Sequence, residues 1–344
     1  MARRIHLVGT TVAGTPRRAL EFAVSRLGEH LLTVPEETDR PNWVIELVEA
    51  RAHHPDLLTL RRSRMSEPIS LRPLLHPPRY VTRPGHRITA ETLGLPYAAS
   101  AAVAAPILTE VAAEHGLSHL RLQVGIPGPL DVAAFSWLRP LHYYPIEADA
   151  ALREIQTIYA LTGGHAVYQL EIPLETVVVA KAPRRHRPRV ARLMARRLAE
   201  FVTQMPSGVE VIVHPCVGNK NDSPLVDLKD AGPLVELSNA IYEQWPEGRI
   251  LSGLHLPFGS QARPAPYTRS YYAPLADLVV PETVHVSAGL VRPEADLERH
   301  RWALDAAEQM ANRGPLGVST PCGWGRHPEL AEITTELLVA LATT

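Results

Sequence analysis

Cysteine is almost missing from this chain, which has only Cys216 and Cys322 in 344 residues. Two cysteines cannot build the disulfide framework of a small secreted domain, and a thiol pair in an intracellular protein is more often metal-binding or catalytic. An excess of charge of one sign is missing as well, because 35 Lys and Arg residues balance 36 Asp and Glu residues. No overall field therefore favours nucleic acid or an anionic membrane, and we expect neither as a partner.

Long apolar runs are also missing. No stretch approaches the roughly 18 uncharged apolar residues that a membrane span needs. Residues 1–9 contain basic residues but lack the long apolar segment of a secretory signal. The alanine-rich residues 97–109 are too short to cross a bilayer and are better explained as part of a buried helix. We therefore expect a soluble, cytoplasmic protein.

What the chain does have is 45% hydrophobic residues, grouped in short runs of Val, Ile and Leu. Near-continuous apolar runs are typical of parallel strands that are covered on both faces. They predict strands at residues 4–10, 30–34, 119–126, 166–172, 209–214, 249–256, 283–288 and 316–320. Helical patterns between most of them predict helices at residues 16–27, 42–53, 100–115, 148–161, 187–204, 232–243, 293–312 and 328–341.

This alternation predicts an α/β fold of the (β/α)₈ TIM-barrel class, as a single domain over residues 1–344. Three features depart from a regular barrel. There is no clear helical pattern between the sixth and seventh strands, and Pro106 predicts that the helix at 100–115 is kinked or begins later. Residues 61–96 are rich in proline and arginine without a clear period, which predicts an irregular excursion that is either a functional loop or a mobile surface segment.

Soft metal ligands occur at the ends of the predicted strands. His214 ends the fifth strand, Cys216 follows it by two residues, and Cys322 follows the eighth strand. The carboxyl ends of barrel strands meet at one rim, where catalytic residues lie. Imidazole nitrogen and thiolate sulfur are preferred ligands of Zn²⁺. We therefore predict a zinc site, although each cysteine taken alone could simply be a small buried hydrophobic residue.

The fourth ligand is less clear from the sequence. His255 lies at the end of the sixth strand, so it would reach the same rim and is the first candidate. A lone histidine at a strand end is just as often a hydrogen-bonding structural group. Glu236 and Glu243 are competing candidates, but both fall on a predicted helix and could be solvated.

Five fragments in order along the chain carry a family resemblance. They are Gly9-Thr10-Thr11, the Ile-Pro-Gly-Pro-Leu of residues 126–130 with Ser136-Trp137 after it, the Gln-Leu-Glu-Ile-Pro of residues 169–173, His214-Pro215-Cys216 with Gly218-Asn219 after it, and the Thr-Pro-Cys-Gly-Trp-Gly of residues 320–325. Together they resemble the catalytic barrel of cobalamin-independent methionine synthase, in the superfamily that also contains uroporphyrinogen decarboxylase.

The resemblance implies a zinc-dependent methyl or other alkyl transferase that activates a thiol acceptor. It implies that Gly9, Thr10 and Thr11 bind the substrate, and that Glu171 and Gln169 orient an amine or hydroxyl of the acceptor as catalytic residues. The partners would be a small-molecule thiol and a methyl donor, either methylfolate or a methylcorrinoid.

The chain also departs from the family pattern. Where the family commonly has a zinc-binding glutamate this chain has His255, and where it has an aspartate for the substrate ammonium this chain has Glu171. The adjacent acidic residue is replaced by Ile172, and the folate-linked histidine has no counterpart in residues 289–293. The acceptor and the donor are therefore left open.

Two alternatives remain open on the same residues. A zinc-bound water could act in a hydrolase or lyase, with Glu171 or His255 as the acid or base. The barrel could also bind metal without catalysing a reaction. The sequence predicts no oligomeric state.

Overall fold

A computed structural model describes residues 3–10, 14–36, 43–61, 78–218, 223–260, 262–325 and 327–344. The strands of this part of the chain are β1 (Ile5–His6), β2 (Thr33–Pro35), β3 (Leu57–Arg61), β4 (Arg79–Thr82), β5 (Arg121–Pro127), β6 (Val167–Glu171), β7 (Glu210–His214), β8 (Ile250–Pro257), β9 (His285–Gly289) and β10 (Gly317–Ser319). The α-helices are α1 (Pro16–Leu27), α2 (Trp43–Ala50), α3 (Ala90–Leu93), α4 (Tyr97–Glu114), α5 (Pro129–Ser136), α6 (Pro140–Leu161), α7 (Pro173–Lys181), α8 (Arg187–Thr203), α9 (Gly232–Glu243), α10 (Arg269–Tyr272), α11 (Leu297–Ala311) and α12 (Ala331–Ala342). Among these residues, no helix combines the length and the apolar character needed to cross a membrane.

Eight of the strands form one parallel sheet in the order β1-β10-β9-β8-β7-β6-β5-β2. Side chains inside the sheet link its two edge strands. The Thr33 hydroxyl of β2 donates to Gln123 Oε1 at 2.7 Å, and Gln123 Nε2 donates to the carbonyl of Leu7, just after β1, at 2.8 Å. The sheet therefore curls into a nearly closed barrel, which confirms the predicted (β/α)₈ TIM-barrel class.

Helices cover the outer face of the barrel, and α1 shows the apolar stripe by which such a helix packs. In α1 the buried residues recur every three or four positions, as in Leu20, Ala23, Val24 and Leu27. The strands are covered on both faces, and every residue of β6 is buried. This double burial explains why the strand sequences are continuous apolar runs rather than alternating ones.

Residues 61–96 contain more regular structure than the predicted irregular excursion. Strand β4 pairs antiparallel with β3, and α3 follows; residues 62–77 of the excursion lie outside the described residues. The hairpin lies against a second apolar cluster, in which Tyr80 contacts α5 and α6 through Trp137 and Tyr143. Contact with this cluster, rather than a local sequence pattern, stabilises the hairpin.

Other elements also differ from the sequence-based expectations. The helix predicted at 100–115 begins earlier, at Tyr97, and Pro106 lies inside it. Short helices α5 and α7 directly follow β5 and β6, each with a proline in its first turn. Between β8 and β9 the helix α10 has only four residues, which explains the weak helical pattern there.

Candidate functional site

The ends of β6, β7 and β10 bring the predicted ligands together. His214 is the last residue of β7, and it is paired in register with Glu171, the last residue of β6. Cys216 lies two residues beyond His214, and Cys322 lies three residues beyond the end of β10. One ligand atom from each of His214, Cys216 and Cys322 lies within 4.8 Å of the other two. Among the described residues, these three side chains form the group that could hold a metal ion.

His214 has one ring nitrogen without a hydrogen-bond partner among the described residues. The side chain is completely buried, and its Nδ1 lies 2.6 Å from Nδ1 of His255. Its Nε2 is buried and has no hydrogen-bond partner in the described structure. A buried polar atom without a partner is costly, and a metal ion at the three-residue group would remove that cost.

The two thiols lie next to each other. A hydrogen bond with Cys322, together with burial, raises the pKa of Cys216 well above its ordinary value. The backbone N–H of Gly218 donates to Cys216 Sγ at 3.3 Å, an arrangement that stabilises a thiolate. Without a cation the two sulfurs disfavour each other's ionisation, and a divalent cation would reverse this effect.

His255 does not lie in the group of three. Its Nδ1 faces His214, and its Nε2 lies 3.0 Å from the carbonyl oxygen of Thr320. Burial and the neighbouring His214 lower the pKa of His255 well below its usual value, so the ring is neutral. Both ring nitrogens are thus engaged with protein atoms, and the geometry does not offer His255 as a fourth ligand.

The two glutamates weighed as alternative ligands also lie outside this group. Glu236 is on α9, where burial raises its pKa and where its charged neighbours include Arg187 and Asp230. Glu243 is exposed in the last turn of the same helix. The described residues therefore supply three protein ligands and no carboxylate to the candidate metal site.

Gln169 is held by a network inside the barrel. Its Oε1 accepts from His6 Nε2 at 2.8 Å and from Gln123 Nε2 at 3.2 Å, while its Nε2 donates to the Val8 carbonyl and to Glu171 Oε1, the latter at 3.2 Å. Burial lowers the pKa of His6 to about 3, so this histidine is a neutral member of the network. The amide of Gln169 is saturated, and its contacts fit orientation of Glu171 better than direct contact with a substrate.

Glu171 is a carboxylate beside the candidate metal ligands. It is 9% exposed, it is the strand neighbour of His214, and its charge contributes to the raised pKa of Cys216. The fold therefore places Glu171 at the rim, next to His214.

The segment after β1 meets the Cys322 segment. The carbonyl of Thr10 accepts hydrogen bonds from the backbone N–H groups of Trp324, at 2.9 Å, and Gly325, at 2.8 Å. A Cβ on Gly325 would lie 2.3 Å from Thr10 Cγ2, so only glycine permits this contact. Gly9 and Thr10 are buried; Thr11 lies outside the described residues.

Three buried carboxyl groups near the rim were not singled out from the sequence. Glu36 follows β2 and is 1% exposed, with the Ser100 hydroxyl 3.5 Å from its Oε2. Asp131 in α5 and Glu175 in α7 form a buried pair, and burial raises the pKa of both, that of Glu175 to about 7. Glu36 could have been found from the sequence, because it is a polar residue that directly follows a strand. Asp131 and Glu175 could not, because their burial depends on the packing of α5 near α7.

The fold defines the class of protein, an α/β barrel with a candidate metal centre at the carboxyl ends of its strands. Comparison with protein-family models and with curated proteins gives no match. Solved structures do match. A protein from Listeria monocytogenes assigned as a vitamin-B12-independent methionine synthase is 14% identical, with a TM-score of 0.56, over 99% of this chain and 98% of that one.

Two further structures are similar over nearly the whole chain. A B12-independent methionine synthase from Shewanella sp. W3-18-1, in complex with selenomethionine, is 12% identical, with a TM-score of 0.59, over 95% of this chain and 86% of that one. A methyltransferase from Methanosarcina mazei is 13% identical, with a TM-score of 0.54, over 99% of this chain and 93% of that one. The likeness to methionine synthase-like barrels that the sequence motifs suggested is thus confirmed at the level of the fold.

Proposed function

We propose that this chain is a zinc-dependent enzyme that transfers a methyl or other alkyl group to a thiol. The observation that carries the proposal is the convergence of His214, Cys216 and Cys322, whose ligand atoms lie within 4.8 Å of one another. The three residues come from two distant parts of the sequence, and the fold brings them to the rim where barrel enzymes carry out catalysis.

The chemistry of these residues fits zinc. Two thiols and an imidazole are soft or borderline ligands, and three protein ligands leave a coordination position for a substrate. The buried and unpartnered Nε2 of His214 further supports a cation at this place. When bound, zinc would supply a positive charge that keeps an acceptor thiol ionised at neutral pH, where a free thiol is mostly protonated.

The remaining residues would bind and orient the acceptor. Glu171 would accept a hydrogen bond from an amine or hydroxyl of the acceptor, because its carboxylate lies beside His214 at the strand ends. Gln169 would keep that carboxylate in place through its 3.2 Å hydrogen bond. The segment of Gly9 and Thr10, held against the Cys322 segment, would form one wall of the site.

The structural neighbours support the class of reaction. All three are described as methionine synthases or as a methyltransferase. The Shewanella protein was solved with selenomethionine, a methylated selenium amino acid. By analogy, the acceptor would be a small thiol, and the donor a methylfolate or a methylcorrinoid.

The first test is the zinc content of protein purified without chelator or affinity histidines. We expect about one zinc per chain in the wild type, and loss of zinc in Cys322→Ser and His214→Asn. His142→Asn is the matched control, since His142 is exposed and should not affect zinc content. A well-folded wild type without zinc would refute the proposal, whereas a loaded protein would next be assayed for methyl transfer from methylfolate and methylcorrinoid donors to thiols.

A hydrolase or lyase at the same site is the second candidate, since Glu171 lies beside the metal ligands and could act as a general base. A barrel that binds zinc without catalysis is distinguished by adding thiols. X-ray absorption of the zinc-loaded protein should show an additional sulfur neighbour in an alkyltransferase and no change in a metal-storing protein.

A further inference from the structure

The ring of His255 lies between His214 and the backbone that follows β10. Its Nε2 is 3.0 Å from the Thr320 carbonyl oxygen, and its Nδ1 is 2.6 Å from Nδ1 of His214. Both histidines are completely buried. His255 thus connects the strand that carries one metal ligand with the segment that leads to another, Cys322.

The proton positions follow from this geometry. A carbonyl oxygen can only accept, so His255 Nε2 must carry the proton of the contact with Thr320. In a neutral ring Nδ1 then carries a lone pair and must accept, so His214 Nδ1 donates to it. In a neutral His214 ring, Nε2 then carries the lone pair, and this is the buried atom that lacks a partner.

The His255 ring occupies space that a side chain at position 289 would otherwise fill. A Cβ on Gly289, at the end of β9, would lie 2.6 Å from His255 Nε2 and 2.8 Å from its Cε1. Such distances are not tolerated, so a glycine at this position is what allows the ring to reach Thr320. His6 lies on another side, with its ring centroid 5.5 Å from that of His255.

We propose that His255 is a positioning residue that fixes the tautomer of His214, so that Nε2 of His214 is aimed at the metal as a ready lone pair. The inference rests on the proposed function only in naming a metal as the recipient of that lone pair. It replaces the prediction from the sequence that His255 is itself a ligand. Metal-ligating histidines commonly have their other nitrogen held in this way, and the partner tunes the metal affinity.

The first experiment uses metal-free protein. Long-range nitrogen–proton NMR spectra of ¹⁵N-histidine-labelled wild type distinguish the tautomers of each ring, with His214→Asn and His255→Gln providing the assignments. We expect the Nδ1–H form for His214 and the Nε2–H form for His255. An Nε2–H form of His214 would overturn the proposal. This readout does not depend on zinc, so the proposal on tautomers can stand even if the proposed function fails.

The second experiment compares two amides at position 255. In His255→Asn the amide oxygen can take the place of Nδ1 and accept from His214. In His255→Gln the amide reaches the position of Nε2, and His214 Nδ1 keeps only the distant backbone carbonyl of residue 255, 3.5 Å away, as an acceptor. Zinc affinity is measured by competition with a chromophoric chelator. We expect His255→Gln to weaken binding about 10- to 100-fold, in the range found for removed partners of ligating residues, and His255→Asn to stay close to the wild type.

The other outcomes of the second experiment contradict the proposal. An equal, large loss in both variants would indicate that His255 ligates the metal directly, and the Co²⁺ spectrum of the wild type would then report two nitrogen neighbours instead of one. Unchanged affinity in both variants would show that the contact with His214 has no influence on the metal. Unfolding curves of each variant verify that it is folded.

Discussion

At the scale of single residues, Glu171 is the side chain whose role separates the candidate reactions. Its carboxylate receives a hydrogen bond from Gln169 Nε2 at 3.2 Å and lies beside His214. In an alkyltransferase it would bind the acceptor without taking part in the bond exchange. In a hydrolase it would be the base that the reaction needs.

We therefore expect Glu171→Gln to raise KM for the thiol acceptor about 10-fold or more, with kcat changed much less, because a charge-assisted hydrogen bond to the substrate is weakened. Steady-state kinetics with the acceptor as the varied substrate measure this. Glu200→Gln on the exposed side of α8 serves as the control. A kcat that falls by orders of magnitude at unchanged KM would instead identify Glu171 as a general base.

The common location of the three candidate ligands could be predicted from the sequence because each lies at the end of an apolar run. His214 and Cys216 follow five β-forming residues, and Cys322 follows another such run, so their common rim follows from the barrel. The function of His255 could not be predicted in this way. His255 lies in β8, two residues before Pro257. Its hydrogen bonds to His214 and to the Thr320 carbonyl depend on side-chain packing between strands that are far apart in the sequence.

At the scale of secondary-structure elements, α5 and α7 meet through a buried pair of carboxyl groups. Asp131 Oδ1 accepts from the backbone N–H of Leu174 at 2.6 Å, and Glu175 is the charged neighbour that raises the pKa of Asp131 after burial itself. Burial raises the pKa of Glu175 to about 7, and Arg197 opposes this shift. The contact between the two carboxyl groups is therefore most favourable when the pair shares a proton.

The stability of the protein should depend on pH through Glu175. Its pKa is higher in the folded protein than in the unfolded chain, where the ordinary value is 4.5. The stabilisation is therefore complete below that pH and is lost as the pH rises through about 7. We expect Glu175→Gln to remove this loss. Its free energy of unfolding should therefore rise relative to that of the wild type by about 3 kcal/mol across this interval.

Urea unfolding at several pH values between 4.5 and 8 measures this difference. The variant must be compared with the wild type at each pH, because other buried groups also change the stability. Buried histidines such as His6, whose pKa is lowered, reduce the free energy of unfolding as the pH falls. The exposed Glu200 provides a matched control as Glu200→Gln. A constant difference between Glu175→Gln and the wild type at all pH values would contradict the prediction.

At the scale of the whole molecule, the candidate metal site joins distant parts of the chain. His214 and Cys216 lie after the middle of the sequence, whereas Cys322 lies close to its end. The segment that carries Cys322 is in turn hydrogen-bonded to the segment after β1 through the Thr10 carbonyl. A metal held by these residues would therefore bind only the folded barrel.

Zinc should accordingly stabilise the protein against unfolding. At a free zinc concentration 1,000 times Kd, the gain would be about 4 kcal/mol, provided that the unfolded chain does not bind zinc. Thermal unfolding of metal-free protein with and without zinc measures the shift in Tm. Cys322→Ser should show no such shift, and an equal shift in this variant would place the stabilising zinc elsewhere.

The amino-acid sequence was sufficient to predict the class of fold and the rim at which the candidate ligands lie. Apolar runs that alternate with amphipathic helices allow few arrangements other than a parallel barrel, and residues directly after a strand must lie at its carboxyl end. Which residues contact one another became clear only from the three-dimensional packing. The hairpin of β3 and β4, the Asp131–Glu175 pair and the contact of His255 with His214 each depend on packing between segments far apart in the chain, and no local pattern encodes such distances.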